Sequence, residues 1–409
     1  MKSLNKAYLS IMACLALSGV ALACGPYGAI DGKRVEGGRI VHDPNTYENL
    51  SVFFISGPEL VDKDADYVTL AEAMEKKWVV VHETGNVNQL AVENVTKSRT
   101  VVVLAGAVVK GGKQDRVLGQ DLVLQPKSGK VPIASFCVEQ SRWEKRGGES
   151  LQAFSGNSVQ VSGKGLRKAV KGGLGQGQVW KQVASEQMKI SENVNADVQR
   201  NASPSSYQLA VENKELKKEI ENYKKKLEGV IENYPNAVGY VVAINGEFST
   251  ADVYASRKLF RKTWSQHLES AITEAVSLKN KAKKDQKLDL SWREELFSEK
   301  SYEQKQRQKT GGANDYLSEQ NGKFFRYNCV LKGEKKVSLR QSFEKREKGE
   351  SLEKRQQGRE LQQQQRFNLQ NNYFNPNPSG SFPSFQRIEN SNVEQNDAQN
   401  PEPQNEERE

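Results

Sequence analysis

The fold of this chain is decided by residues 92–143, which read VENVTKSRTVVVLAGAVVKGGKQDRVLGQDLVLQPKSGKVPIASFCVEQSRW. Short apolar runs in this stretch are separated by Gly, Pro, Ser and Asp turns, a pattern typical of antiparallel strands. We predict strands at residues 90–94, 100–104, 122–124 and 131–138. Two polar segments, KGGKQDR (residues 110–116) and CVEQSRW (residues 137–143), flank these runs, and we call them the polar knots.

Elements on either side of this stretch alternate between strands and helices. A strand at 52–55 precedes a helix that Thr69 and Glu72 start as a capping box, and a strand follows at 78–81. Later, helices are predicted at 179–188 and 256–278, and Asn245-Gly246 and Lys332-Gly333 turn two hairpins. The sequence therefore predicts an α+β fold, an antiparallel sheet or sandwich with helices packed against it.

The clearest helical pattern covers residues 207–231. Its apolar stripe is spaced at helical intervals and consists of Leu209, Leu216, Ile220, Tyr223, Leu227 and Val230. Such a stripe serves either as the seam of a coiled coil or as the inward face of a helix in its own domain. Three heptads are short for a coiled coil, so packing on the domain is favoured.

Glycine, serine and lysine dominate residues 147–177, which are predicted to form a long loop. The glycine-rich segment at 173–177 lacks the GK[ST] ending of a phosphate-binding loop and a preceding strand. No nucleotide site or other cofactor is expected there.

The N-terminus is typical of a targeting segment. Lys2 and Lys6 precede an apolar run and the small residues of a cleavage site, so residues 1–23 are predicted to be a signal peptide. Residues 24–49 are interpreted as a tether. The protein is expected to be exported to the periplasm, the cell surface or the envelope. Cys24 fits lipidation and ordinary cleavage equally, so a lipid anchor and soluble export both stay open.

Removal of the signal leaves Cys24, Cys137 and Cys329. An odd number of cysteines in an oxidising compartment indicates a leftover thiol or a modified one. If Cys24 carries lipid, a disulfide between Cys137 and Cys329 is available to the other two.

The last part of the chain, residues 346–409, is low in complexity. It alternates Lys and Glu, then becomes rich in Gln and Asn, and ends acidic. Too few apolar residues are present to offset the entropy of ordering, so we predict a disordered tail. Such a tail is a candidate contact for a protein partner. Residues 50–345 are predicted to form a single domain.

Charge is spread rather than clustered. The 60 Lys and Arg exceed the 51 Asp and Glu by 9 in a chain of 409 residues, and both signs are interleaved. Nucleic-acid binders concentrate basic residues on one face, so no nucleic-acid partner is expected. No stretch after the signal is long and apolar enough to span a membrane.

The two polar knots carry a family resemblance. KGGKQDRVL (residues 110–118) followed by IASFCVEQSRW (residues 133–143) resembles a bacterial domain of unknown function, the ARG and Rhodanese-Phosphatase-superfamily-associated protein domain. QVWKQVA near Trp180, VGYVVAINGEF near Gly246 and the last hairpin agree, so the resemblance covers residues 50–343. It implies one α+β domain, and it assigns no activity, substrate or catalytic residue to this chain. Asp115, where the family pattern commonly has Asn, and Cys329 depart from that pattern.

Catalytic motifs are sparse. His42, His82 and His267 are the only histidines, and their spacing does not suit a metal site. His267 lies beside the apolar face of its helix, where a packed imidazole is the favoured interpretation. The catalytic residues, if there are any, are therefore unknown.

The polar knots supply the sharpest hypothesis about function. If their strands pair, the side chains that converge as a ligand site are Lys113, Gln114, Arg116, Glu139 and Arg142. Arg116 and Arg142 could bind a carboxylate, phosphate or sulfate. The alternative, which we favour, is a structural network of arginine and glutamate. The first function hypothesis is accordingly an exported, non-enzymatic binding or interaction module. The second is a hydrolase-like enzyme that acts on an anionic substrate through these groups.

Overall fold

The computed structural model describes residues 32–140, 154–201, 203–279, 287–333 and 335–354. The strands of this part are β1 (Gly32–Val35), β2 (Arg39–His42), β3 (Asn45–Tyr47), β4 (Leu50–Ser56), β5 (Tyr67–Thr69), β6 (Val79–Glu83), β7 (Gln89–Asn94), β8 (Thr100–Val103), β9 (Ala107–Gly111), β10 (Arg116–Leu118), β11 (Leu122–Leu124), β12 (Lys130–Cys137), β13 (Phe154–Gln160), β14 (Ala237–Ile244), β15 (Glu247–Tyr254), β16 (Gln304–Lys309), β17 (Asn314–Gln320), β18 (Phe324–Leu331) and β19 (Ser338–Lys345). The helices are α1 (Leu70–Glu75), α2 (Lys164–Lys171), α3 (Gln176–Val194), α4 (Tyr207–Val211), α5 (Lys214–Leu227), α6 (Arg257–Ser277) and α7 (Trp292–Phe297).

A ten-stranded antiparallel sheet forms the largest layer. Its order is β1-β2-β4-β14-β15-β19-β18-β17-β16, and β3 pairs with β4 at the side. The central hairpin turns at Asn245 and Gly246, whose φ angles of 51° and 77° suit a tight two-residue turn. Successive side chains of a strand point to opposite faces, so Phe54 packs with Trp264 of α6 while Phe53 packs with Trp292 of α7. Both faces of the sheet are therefore covered.

The stretch that decides the fold builds two smaller sheets. One has the order β13-β9-β10-β12-β7-β6, and the other has the order β11-β8-β5. The pair β5 and β8 is parallel, whereas the other strand pairs of the described residues are antiparallel. Valine and leucine side chains from both sheets form a second apolar core. The α+β fold with packed helices is confirmed.

Predicted helix starts coincide with observed caps. The Thr69 hydroxyl accepts a hydrogen bond from the Glu72 backbone N–H, and Ser256 does the same for Leu259 at the start of α6. The predicted helix at 207–231 is instead divided into α4, α5 and a 3-10 turn, because the Asn213 side chain accepts from Glu215 and Leu216 and starts a new helix. The apolar stripe of α5 is buried in the main core, so it packs on its own domain.

Three sequence-based boundaries need correction. Residues 32–47 of the predicted tether form β1, β2 and β3 and add to the ten-stranded sheet. The predicted loop at 147–177 contains β13 and α2, and α3 already begins at Gln176. After β19 the chain continues on the domain surface, where Leu352 is buried against Tyr316, Phe325 and Tyr327. The predicted signal peptide and the tail from residue 355 lie outside the described residues.

Among the described residues, none of the helices combines the length and the apolar character needed to cross a membrane.

Candidate functional site

The two polar knots lie side by side. β10 runs between β9 and β12, and its Arg116 stands opposite Cys137 of β12. Gln114, Arg116 and Glu139 are each at most 1% exposed, whereas Lys113 is exposed to solvent. Arg142 lies outside the described residues. The predicted neighbourhood of the knots is therefore observed for three of the five candidate residues.

Carboxylates of the knots are bound to backbone and hydroxyl donors. The Gly111 N–H donates to Asp115 Oδ1 over 3.0 Å, and the Asp115 N–H donates to Glu139 Oε2 over 3.1 Å. Ser206 Oγ donates to Asp115 Oδ2 over 3.3 Å. Such bonds hold the loop between β9 and β10 against the end of β12, as in the structural interpretation of the knots.

Arg116 is less completely satisfied. Its Nη1 donates to the Gln114 carbonyl over 3.1 Å, and its Nη2 lies 3.6 Å from Glu83 Oε2. Arg116 Nε and Glu83 Oε2 have no hydrogen-bond partner among the described residues. A buried, loosely paired guanidinium is a costly arrangement, so this pair is the part of the knots that best suits a ligand.

The predicted disulfide is not present. Cys137 lies on β12 of the six-stranded sheet and Cys329 on β18 of the ten-stranded sheet, and both are buried thiols. Burial raises the pKa of the Cys329 thiol well above its usual value. The pairing that stayed possible if Cys24 carries lipid is therefore not formed in this structure.

A cluster that the sequence analysis did not find lies between the ten-stranded sheet, α2 and α6. We call it the buried charge cluster, and its members are Asp121, Arg167, Lys171, Asp252, Glu274, Arg340 and Glu344. Each of these residues is less than 10% exposed. No local sequence motif identifies them, because they come from five separate elements or loops and meet only in the folded chain.

Arg340 of β19 is the centre of one half of the cluster. It donates to Asp121 over 2.7 Å and to both oxygens of Asp252 over 3.1 Å. Burial alone would raise the pKa of Asp252, but the Arg340 guanidinium, together with Lys171 and a hydrogen bond from Ser342, outweighs this effect and holds that pKa well below its usual range. Asp252 therefore stays ionised.

Helix α2 supplies the other half. Arg167 donates to Glu274 over 2.5 Å and to Glu344 over 3.2 Å, and Lys171 donates to Glu344 over 2.7 Å. Burial opposes ionisation of Glu344, yet the two adjacent cations lower its pKa. Both cations thus fasten α2 to β19 and α6.

His267 of α6 lies between Tyr254 and Asp252, beside the buried charge cluster. Tyr254 Oη lies 2.6 Å from His267 Nε2, and Asp252 Oδ2 lies 3.6 Å from His267 Nδ1. Burial lowers the pKa of His267 to about 3, so the imidazole is neutral at neutral pH. Burial raises the pKa of the Tyr254 phenol far above its usual value, so this hydroxyl keeps its proton. The tautomer of the neutral imidazole decides which of the two groups donates.

A small cavity lies within these groups. Its volume is about 20 Å³, and His267, Asp252, Arg340, Lys171, Arg167 and Tyr240 are part of its wall. One water molecule needs roughly 10–15 Å³ and two to four polar partners, so the cavity suits a single water. It is too small for an organic substrate. In this conformation the buried charge cluster therefore holds the ten-stranded sheet, α2 and α6 together.

Two larger clefts open on the surface of the domain. One surface cleft of about 530 Å³ is lined by Asp66, Tyr67, Arg99, Gln125 and Lys332. Another cleft, of about 310 Å³, lies between α2, α3 and the end of α6. We call the second one the α2 cleft. Ligand pockets usually measure about 300–1,000 Å³, so both are large enough for a small molecule.

The other two histidines do not contribute to these features. His42 Nε2 lies 2.7 Å from Ser56 Oγ, and His82 Nε2 lies 2.9 Å from Glu93 Oε2 on the neighbouring strand. Within the described ranges, three or more His, Cys, Asp or Glu side chains do not come together as a group that could hold a metal ion.

The fold and its fastened polar core define an α+β domain with charged side chains buried between its layers. The family model of the ARG and Rhodanese-Phosphatase-superfamily-associated Protein domain matches residues 40–340. The chain belongs to this family. A search of curated proteins and a search of solved structures found no match.

Proposed function

We propose that this protein is an exported, non-enzymatic binding module of the bacterial cell envelope. The observation that carries the proposal is the state of the polar knots, where the Asp115 and Glu139 carboxylates accept bonds from backbone N–H groups. Catalytic carboxylates need access to a substrate, whereas these two are completely buried. His267 is likewise enclosed, beside a cavity of about 20 Å³.

Export rests on the first 24 residues. Lys2, Lys6, the apolar run and the small residues before Cys24 support cleavage of a signal peptide, and Cys24 is the residue that a lipid would modify. Fractionation of cells that express the wild-type chain or Cys24→Ser tests this part. Membrane association that is lost in the variant indicates a lipid anchor, equal release of both indicates soluble export, and retention of both in the cytoplasm contradicts export.

A thermal-shift screen tests the binding function. The panel contains divalent metals, nucleotides, sugar phosphates and cell-wall fragments, and wild-type protein is compared with Arg116→Ala. A ligand at 100 times its Kd adds about 2.7 kcal/mol to stability. We expect at least one ligand to raise the Tm of both proteins equally, while Arg116→Ala melts earlier without ligand. A ligand that shifts only the wild type would identify the knots themselves as the site.

The second candidate is a hydrolase-like enzyme that acts on an anionic substrate through residues 113–116 and 139–142. The unpartnered Arg116 Nε and Glu83 Oε2 favour it, because an anion would satisfy the guanidinium. Turnover of a phosphate, sulfate or carboxylate ester that disappears in Arg116→Ala would support this candidate over the first.

The proposal also includes a protein partner for the tail. The alternating charges and the acidic end of residues 346–409 support an electrostatic contact. Chemical crosslinking in cells compares the full chain with one that ends at residue 354. Identical crosslinks in both would remove the tail from the proposal.

A further inference from the structure

The α2 cleft carries an unusual distribution of charge. Its α2 side, which we call the rim, contains Lys164 and Lys168, which are four residues apart and therefore lie on the same face of α2. The Lys164 side chain is 28% exposed and the Lys168 side chain is 9% exposed. The floor contains Glu186 of α3 and Ser277 of α6, both 1% exposed. Cationic groups on one side and hydrogen-bonding groups on the other make the cleft suited to a ligand with two different ends.

The rim lysines take their counter-charges from another part of the chain. Lys164 Nζ lies 2.8 Å from Glu347, and Lys168 Nζ lies 2.9 Å from Glu350. Both glutamates belong to the turn after β19. The Glu347 side chain is 52% exposed and that of Glu350 is 28% exposed. The Lys164–Glu347 pair is at least partly exposed on both sides, and such a pair contributes only about 0–1 kcal/mol. Lys168 is only 9% exposed, so an incoming anion must take the place of Glu350 there to keep this ammonium group paired.

A phosphate monoester is the anion that best replaces two separate carboxylates. It carries roughly 1.5 to 2 negative charges on one group, with three acceptor oxygens. Lysine binds phosphate as a point charge and does not need the planar geometry that arginine requires. One phosphate between Lys164 and Lys168 would thus satisfy both ammonium groups and release Glu347 and Glu350 to water.

The floor of the cleft indicates what the phosphate is attached to. Glu186 Oε1 lies 2.8 Å from Lys189 Nζ, and its Oε2 accepts from Ser277 Oγ over 3.3 Å. The Gln182 side chain lies beside them. Carboxylate, hydroxyl and amide groups in one small space form hydrogen bonds with a polyol rather than with an apolar group. About 310 Å³ is at the lower end of the range for ligand pockets.

We infer that the α2 cleft binds a small phosphorylated sugar, with the phosphate on Lys164 and Lys168 and the hydroxyl groups toward Glu186, in competition with Glu347 and Glu350. This inference rests on the proposed binding function and names its ligand class and its site.

Calorimetric titration of the full chain with glucose 6-phosphate, inorganic phosphate and glucose tests the inference. We expect the sugar phosphate to bind at least tenfold more tightly than inorganic phosphate, and glucose not to bind measurably. Lys164→Gln/Lys168→Gln is expected to weaken the sugar phosphate at least tenfold. Glu347→Gln/Glu350→Gln is expected to strengthen it several-fold, because the competing carboxylates are removed. Lys258→Gln, which breaks an exposed ion pair with Asp66, is the matched control and leaves the affinity unchanged.

The expected gain in affinity of Glu347→Gln/Glu350→Gln distinguishes an effect on the site from a folding defect, because a folding defect cannot tighten binding. Absence of binding in both the wild type and Glu347→Gln/Glu350→Gln overturns the inference and leaves the binding module with another ligand from the panel. Equal affinities for inorganic phosphate and the sugar phosphate overturn the sugar part. Release of phosphate from glucose 6-phosphate by the wild type, but not by the lysine variant, contradicts the non-enzymatic function while supporting the site.

Discussion

Buried charged residues in this protein are arranged as structural pairs. Arg340 contacts two carboxylates, and Lys171 and Arg167 share Glu344. Two charges lose much hydration when they are buried, and their attraction returns it only if the geometry is good. Loss of one partner is therefore far more damaging than the net contribution of the pair suggests. Each position can be tested by removing one partner only.

Arg340→Met is expected to destabilise the fold by about 3–5 kcal/mol, because Asp121 and Asp252 would remain buried without their cation. Urea unfolding of both proteins measures the difference. Arg39→Met, which removes a partly buried arginine that donates to Gln341, is the control and should cost much less. A loss below about 1 kcal/mol for Arg340→Met would mean that water, not Arg340, compensates the two carboxylates.

His267 predicts a pH dependence of stability. Its folded pKa of about 3 lies below the unfolded value near 6.5, so the unfolded chain binds the extra proton between these pH values. The contribution is fully present above pH 6.5 and decreases as the pH falls toward 3, by at most about 1.4 kcal/mol per pH unit. Unfolding free energies of wild type and His267→Asn, measured from pH 7 to pH 5, should differ by a decreasing amount. A constant difference would show that His267 has the same pKa in the folded and the unfolded chain.

The site could be predicted from the sequence only where its residues are close in the chain. KGGKQDR and CVEQSRW are compact polar interruptions between apolar runs, and their proximity follows from strand pairing. Arg340 and Asp121, by contrast, are 219 positions apart, and Arg340 and Asp252 are 88 apart. A charged residue within a strand has the same sequence signal whether it faces solvent or a buried partner. The buried charge cluster was therefore beyond sequence reasoning.

Elements with strong local signals agreed with the structure. The Asn-Gly turn, the Thr69 and Ser256 caps and the apolar stripes each act within a few residues. The prediction was wrong for residues 163–177, the glycine-rich part of the predicted loop. Its glycines were interpreted as a loop, whereas two of them allow α2 and α3 to approach closely. Glycine for flexibility and glycine for contact look alike in a sequence.

Gly163→Ala tests this close approach. Gly163 has a φ of 80°, and an added Cβ would lie 2.3 Å from the Glu186 carboxyl carbon. Backbone strain and overpacking each cost about 1–3 kcal/mol, so we expect a loss of roughly 2–4 kcal/mol in urea unfolding. Gly177→Ala is the matched control, since a Cβ there meets nothing within 4 Å and alanine favours the helix. Equal stabilities of the two variants would show that α2 can move away from α3.

At the scale of the molecule, both ends of the domain extend beyond the boundaries that the sequence indicated. The glycine and charged residues before residue 50 lack a long apolar run, yet β2 bonds the outer side of β4. After residue 345 the sequence is dominated by alternating Lys and Glu, so Leu352 does not stand out in it. In the structure Leu352 packs on Tyr316 and Phe325. A single apolar residue in a polar stretch does not produce the repeating pattern that identifies a helix or a strand. Such a residue still packs against the domain, as Leu352 does.

Truncation measures how much these two ends contribute. Three chains are compared by urea unfolding: residues 32–354, 50–354 and 32–345. Loss of β1 to β3 would expose the edge of β4 with its apolar side chains, so we expect 50–354 to aggregate or to unfold at a clearly lower urea concentration. Loss of Leu352 should cost about 1.5–3 kcal/mol, the value of one buried leucine. Leu352→Ala in residues 32–354 should reproduce the apolar part of the effect of 32–345. The rest of that effect comes from the Arg346 bond to the Asn321 carbonyl, the Leu352 N–H bond to Gln320 and the Lys168–Glu350 pair. If 50–354 and 32–345 both match the stability of 32–354, the domain ends where the sequence alone had placed it. The strands β1 to β3 and Leu352 would then contribute nothing to its stability.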